Sequence, residues 1–178
     1  MPLRMLSLDI ATTTGWAFVD SENTSNIKRG LIKSNSKLNL SKRLSDFREE
    51  LTKLLELFKP SHVVIEDIFS GLNVNTMKLL AKYAGVAQEC CMTISNIDPY
   101  IIHTSTVKAY FKAKDKQEVF DIIVDLVAWS DAIFKKDNDI TDAIAQLLCY
   151  YDEVSEGTKY RFKKDYGYLY GIGVNNEK

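Results

Sequence analysis

Apolar and polar positions alternate along residues 5–10 (MLSLDI) and 16–20 (WAFVD), and again over residues 27–33. Period-two alternation of this kind predicts strands. Residues 11–15 (ATTTG) and 21–26 read as the turns between them, so the first third of the chain predicts an antiparallel three-stranded meander. Leu40, Leu44, Phe47, Leu51, Leu54, Leu55 and Phe58 then recur at helical spacing and form one apolar stripe. Asn39 or Ser41 is placed to cap this helix, and Pro60 lies just past its end. The β-branched run at residues 62–66 (HVVIE) follows a helix, which marks a buried parallel strand. A loop at 67–75, a helix at 76–95, a short strand at 100–102 and helices at 104–111, 116–129 and 139–151 complete the reading. From residue 156 periodicity stops and the composition turns to glycine, lysine and tyrosine.

This order predicts an α/β fold: a mixed sheet with helices on both faces. Residues 1–155 form one domain, with residues 156–178 as a basic, aromatic C-terminal tail. At 178 residues and 46% apolar composition, the chain is large enough to bury a core without disulfides or a structural metal. Cys90, Cys91 and Cys149 are an odd set without CxxC spacing, far from His62 and His103, and read as buried reduced thiols. No apolar run approaches the roughly 18 residues of a membrane span. The start of the chain leads directly into a strand, which predicts no signal or transit peptide and a cytoplasmic protein, in a bacterium or a virus-infected host cell.

The net charge of −1 excludes a uniform basic coat, but the charge is not evenly spread. Lys108, Lys112, Lys114 and Lys116 face a single acid, Asp115, within residues 100–116. Residues 28–48 carry seven cations against Asp46. Four cations interleave with Tyr160 and Phe162 in the tail, a pattern suited to phosphates and stacked bases. Residues 119–142 run the other way, with six aspartates and two lysines.

Four carboxylates hold informative positions. Asp9 ends the first strand and Glu66 ends the fourth, where ligands bind in sheets of this type. Asp139 and Asp142 are three apart at the start of the last helix and share a face. Taken alone, Asp139 and Asp142 also fit a helix-capping pattern, Asp9 a turn residue and Glu66 a surface charge. Together they describe a cluster whose mutual repulsion calls for hard cations, and oxygen-only donors suit Mg²⁺ or Mn²⁺. Two such ions about 3.5–4 Å apart support phosphodiester cleavage.

The stretch LSLDIATTTGWAFVD resembles the first catalytic strand and hairpin of RuvC-type Holliday junction resolvases. VVIEDIFSGLNVNTMKLLAKYAGVAQ, HTSTVKAYFKAKDKQEV and DITDAIAQLL resemble that family's later motifs, in order, over residues 5–152. The resemblance implies a ribonuclease-H-like fold with a mixed five-stranded sheet. It also implies a homodimer that nicks four-way DNA junctions in pairs during recombination and repair. It assigns two Mg²⁺ ions to Asp9, Glu66, Asp139 and Asp142, with Asp9 bridging and Lys116 beside the scissile phosphate. Lys108 matches a further DNA-contacting position, Phe69 an aromatic at the junction centre, and Asn75 a loop-ordering residue. Lys112 and Lys114 join the DNA-binding set on charge. Helix 76–95 carries Ala81, Ala84, Gly85 and Ala87, small residues that suit either a dimer interface or close packing on the sheet. The sequence departs from the family pattern in placing three threonines between the first aspartate and Gly15.

Three other readings stand beside this one. A broader nuclease of the same fold would act on flaps, forks or hybrids. A non-catalytic junction binder would have kept only the fold, although four intact carboxylates argue against that. An actin or sugar-kinase-like nucleotide-binding protein would use DIATTTG as a phosphate loop, but no second glycine-bearing phosphate loop follows.

Overall fold

A computed structural model of the chain describes residues 2–68, 73–127 and 138–155. Five strands form one sheet in the order β3-β2-β1-β4-β5. β1 (Arg4–Asp9), β2 (Thr13–Asp20) and β3 (Asn23–Lys33) are the antiparallel meander. β4 (His62–Glu66) adds parallel to β1, and β5 (Tyr100–Ile102) parallel to β4. The helices are α1 (Leu40–Phe58), α2 (Val74–Ser95), α3 (Thr104–Phe111), α4 (Lys116–Val127) and α5 (Asn138–Val154). No helix among the described residues is long and apolar enough to cross a membrane.

The predicted elements are present, and several boundaries move. β2 begins at Thr13 rather than residue 16, because β-branched threonines fit a pleated strand and extend the pairing up to Lys33. β3 begins at Asn23, so the turn before it shrinks to two residues. α2 begins two residues earlier than its periodicity suggested, because Asn73 caps it by accepting a hydrogen bond from the Thr76 amide at 2.9 Å. Asn39 caps α1 in the same way through the Lys42 amide, and Lys59 closes that helix in the left-handed conformation. α5 starts at Asn138, which places Asp139 inside its first turn. The predicted end of α4 at residue 129 and the whole tail from 156 lie outside the described residues.

Alternation along the strands sends side chains to two cores. Leu6, Leu8, Phe18, Val63 and Ile65 pack beneath α1 and α2, against Phe47, Leu51, Leu55 and Tyr83. Met5, Ala17, Val19, Val64 and Ile102 pack beneath α5, against Ile144, Leu147, Leu148 and Tyr151. All three cysteines are buried and outside any disulfide, and burial pushes the Cys91 thiol up to about 12, so it stays protonated and inert.

The same parity decides where the strand ends point. Asp9 has the parity of Met5, and Glu66 has the parity of Val64, so both belong to the α5 face. Leu8 pairs with Ile65 across the β1–β4 ladder, which sets the two carboxylates side by side. Gly15 lies opposite Asp9 in the β1–β2 ladder, and the first turn of α5 crosses directly over it. A Cβ at Gly15 would fall 1.9 Å from the Asp139 carbonyl oxygen. The absence of a side chain here is what lets α5 approach the end of β1. Gly15→Ala should therefore push the start of α5 off the sheet and destabilise the protein by about 1–3 kcal/mol. Urea unfolding measures this, and an unchanged midpoint would contradict the packing described.

Candidate metal-dependent active site

Asp9, Glu66 and Asp142 each offer a carboxylate oxygen, and the three oxygens lie within 4.8 Å of one another. β1 supplies the first, β4 the second and α5 the third. Asp139 and Asp142 share one stripe of α5, and Asp139 joins Asp142 in lining the same cleft. Asp139 lies outside the tight triad, so three of the four predicted carboxylates meet closely while the fourth borders them. The cleft encloses about 750 Å³.

Lys116, the first residue of α4, reaches into this group. Its ammonium lies 3.1 Å from Asp142 Oδ2, to which it donates a hydrogen bond, and 3.6 Å from Glu66 Oε1. One ammonium does not neutralise three carboxylates. Burial, then the negative charges of Glu66 and Asp142, hold the Asp9 carboxyl well above its ordinary value, against the opposing pull of Lys116. Asp142 is also raised, by burial first, although Lys116 draws it down. Desolvation alone would lower the Lys116 ammonium, but Glu66, Asp142 and Asp9 outweigh it and raise it. The all-oxygen donor set and residual negative charge fit a hard divalent cation.

Comparison with known proteins agrees with this geometry. The profile of the family described as crossover junction endodeoxyribonuclease RuvC matches residues 8–150. The chain belongs to the RuvC family. The RuvC protein of Caldicellulosiruptor saccharolyticus is 28% identical over 156 residues, covering 83% of this chain and 92% of its own length. That of Wolbachia from Brugia malayi is 27% identical over 154 residues, with 83% and 93% covered. Among solved structures, Thermus thermophilus RuvC in complex with Holliday junction substrate superposes with a TM-score of 0.68 at 15% identity, over 86% of this chain and 96% of that one. At that identity the likeness speaks for the fold. It confirms the mixed sheet with helices on both faces as the ribonuclease-H-like arrangement of RuvC.

The remaining predicted residues are spread more widely. Lys108 lines the cleft with Lys116. Lys112 ends α3 in a left-handed conformation, and Lys114 lies in the α3–α4 connection, where its amide bonds Glu118; both are exposed and outside the cleft lining. Asn75 is exposed in the first turn of α2, while the capping that orders this end belongs to Asn73. Phe69 lies outside the described residues. Four participants escaped sequence reasoning: Ser7, Gln146, Thr104 and Gly15. Thr104 and Gln146 both donate hydrogen bonds to Glu66, and Ser7 donates to Gln146. A polar residue in an otherwise apolar run, as Gln146 is within residues 143–149, was the available signal.

The raised Asp9 carboxyl has a consequence for stability in the absence of metal. Its ordinary value is 3.8, and the folded state holds the proton to higher pH. Both states are protonated well below pH 4, and above it the unfolded chain ionises first, so Asp9 costs stability as pH rises. In chelator, Asp9→Asn should thus be more stable than the unaltered protein, by a margin that opens above about pH 4 and levels off once Asp9 has ionised in the fold. Thermal melts from pH 4 to pH 8 measure this, and a margin that closes with rising pH would contradict the charge balance described.

Proposed function

We propose that this chain is a Mg²⁺-dependent, structure-selective endonuclease that resolves four-way DNA junctions as a homodimer. The observation that carries the reading is the convergence of Asp9, Glu66 and Asp142 at the cleft floor with Lys116 over them. Asp9, Glu66 and Asp142 would hold two Mg²⁺ ions between them, with Asp9 shared and Asp139 completing the set. When bound, these ions supply Lewis acidity at the scissile phosphate and lower the pKa of coordinated water. Lys116 sits where its ammonium can meet a non-bridging phosphate oxygen, offsetting charge that builds on phosphorus. Lys108, in the same cleft, provides a second cation for the strand, with Lys112 and Lys114 further along the path. In-line attack of water breaks the P–O3′ bond and leaves 5′-phosphate and 3′-hydroxyl ends. On this reading the protein would work in the cytoplasm, of a bacterium or of a virus-infected host cell.

A net charge near zero also acquires a meaning. Without metal, the acidic cleft repels the DNA that the basic segments attract, so divalent cations should strengthen binding as well as cutting. The two-fold symmetry of a four-way junction is matched by a two-fold dimer. On α2, Ala84 and Ala87 are buried in the core that α1 and α2 share with the sheet, whereas Ala81 and Gly85 lie on the exposed face, between the exposed apolar Val74 and Met92. Nothing approaches within 4 Å of where a Gly85 Cβ would lie, which leaves room for a second copy at close range.

Two experiments test the reading. Labelled four-way junctions, flaps and linear duplex are incubated with and without Mg²⁺. Paired symmetric nicks in the junction alone are expected, equal cutting of flaps would favour the broader nuclease, and normal cleavage by Asp142→Asn would sink the metal assignment. That variant should still bind junctions. Sedimentation of Gly85→Arg should show a shift from dimer to monomer with the fold intact, whereas an unchanged dimer would place the interface elsewhere.

A further inference from the structure

Glu66 ends a strand, and its carboxylate is reached by three side-chain donors from three different elements. Thr104, at the start of α3, donates its hydroxyl to Oε1. Gln146, on α5, donates from Nε2 to Oε2 at 2.9 Å. Lys116 is the third, 3.6 Å from Oε1. Gln146 is only 1% exposed, and a buried amide is costly unless its bonds are met. Its carbonyl oxygen is met by Ser7, fully buried in mid-β1, whose hydroxyl donates to Oε1 of Gln146 at 3.3 Å.

The bond to Glu66 sets the direction of the amide. An amide side chain can present either its oxygen or its nitrogen to a neighbour. Glu66 only accepts, so it selects the amide nitrogen, and the Ser7 hydroxyl, able to donate or to accept, donates to the oxygen left on the sheet side. The reverse orientation would set two acceptors, amide oxygen and carboxylate, against each other.

We propose that Gln146 and Thr104 are positioning residues that fix the Glu66 carboxylate for the divalent cation, with Ser7 satisfying the amide oxygen of Gln146. This rests on the metal-dependent reading of the site. Each carboxylate oxygen has about two lone-pair directions. The two neutral donors occupy one on each oxygen and leave the remaining directions for the cation or for Lys116. They also hold a side chain that would otherwise have to lose its rotamer freedom when the cation arrives. Neutral donors suit the task, because they orient the carboxylate without cancelling the charge that attracts the metal. Stripe spacing on α5 makes the arrangement possible: Asp139, Asp142 and Gln146 sit at i, i+3 and i+7, so one helix face carries two of the carboxylates and the brace for a third.

The test reads metal affinity rather than turnover. Mn²⁺ is titrated by calorimetry into the unaltered protein, Gln146→Met, Thr104→Val, Thr104→Ser and Asp142→Asn. Melting of each in chelator serves as the check on folding. Gln146→Met keeps length and removes the donor, and Thr104→Val keeps shape and removes the hydroxyl. Each should weaken Mn²⁺ binding by about 10–100-fold, the usual effect of losing a partner of a metal ligand. Thr104→Ser should restore affinity to within about threefold of the unaltered protein. The Thr104 pair decides the matter if Gln146→Met does not fold. Unchanged Mn²⁺ affinity in Thr104→Val and in any folded Gln146→Met, while Asp142→Asn loses binding, would overturn the positioning role and leave the metal site standing. No Mn²⁺ binding by the unaltered protein would overturn both.

Discussion

Carboxylates brought within a few ångströms of one another, partly out of water, repel, and the fold that gathers them is poorer for it until a cation arrives. Asp9, Glu66 and Asp142 are in that position, and burial first, with repulsion added to it, raises the Asp9 and Asp142 carboxyls. Lys116 answers part of the charge from within the chain. The rest is left for a ligand with two positive charges and a preference for oxygen. The site thus trades stability for affinity, as sites that bind metal ions commonly do.

The scaffold can carry this load because the charges sit at the rim of two well-filled cores. Beneath them, β1 and β4 bury Met5, Leu6, Leu8, Val63, Val64 and Ile65 almost completely. The alternation that sends Leu6 and Leu8 toward α1 sends Met5, Ser7 and Asp9 toward α5. A one-residue slip between β1 and β4 would bury an acid or expose a core residue, so the hydrophobic pattern itself fixes the register of the carboxylate cluster. α5 is then drawn in on top by Ile144, Leu147, Leu148 and Tyr151, and Gly15 removes the one obstacle at its first turn.

Much of this was legible in the residues. The meander, the apolar stripe of α1, the β-branched run of β4 and the i, i+3 pair of α5 all follow from periodicity, and the three convergent carboxylates were named among four. The boundaries that moved did so where side chains override periodicity: Asn73 capping α2, and threonines extending β2. Ser7, Thr104 and Gln146 were missed for a different reason. A serine in a strand, a threonine at a helix start and a glutamine in a helix are ordinary residues, and their role arises from contacts across 38 to 139 positions of sequence. The division of α2 into buried Ala84 and Ala87 and exposed Ala81 and Gly85 likewise needed the helix to be docked before its two faces could be told apart.

The claim on which the account depends is that the carboxylate cluster is built around divalent cations. Crystals grown with Mn²⁺ and measured at the manganese absorption edge test it directly. The account predicts anomalous density among Asp9, Glu66 and Asp142, with the Lys116 ammonium moved away from Glu66 as the metal takes its place. Manganese density elsewhere on the protein, with that cluster still closed around Lys116, would contradict it.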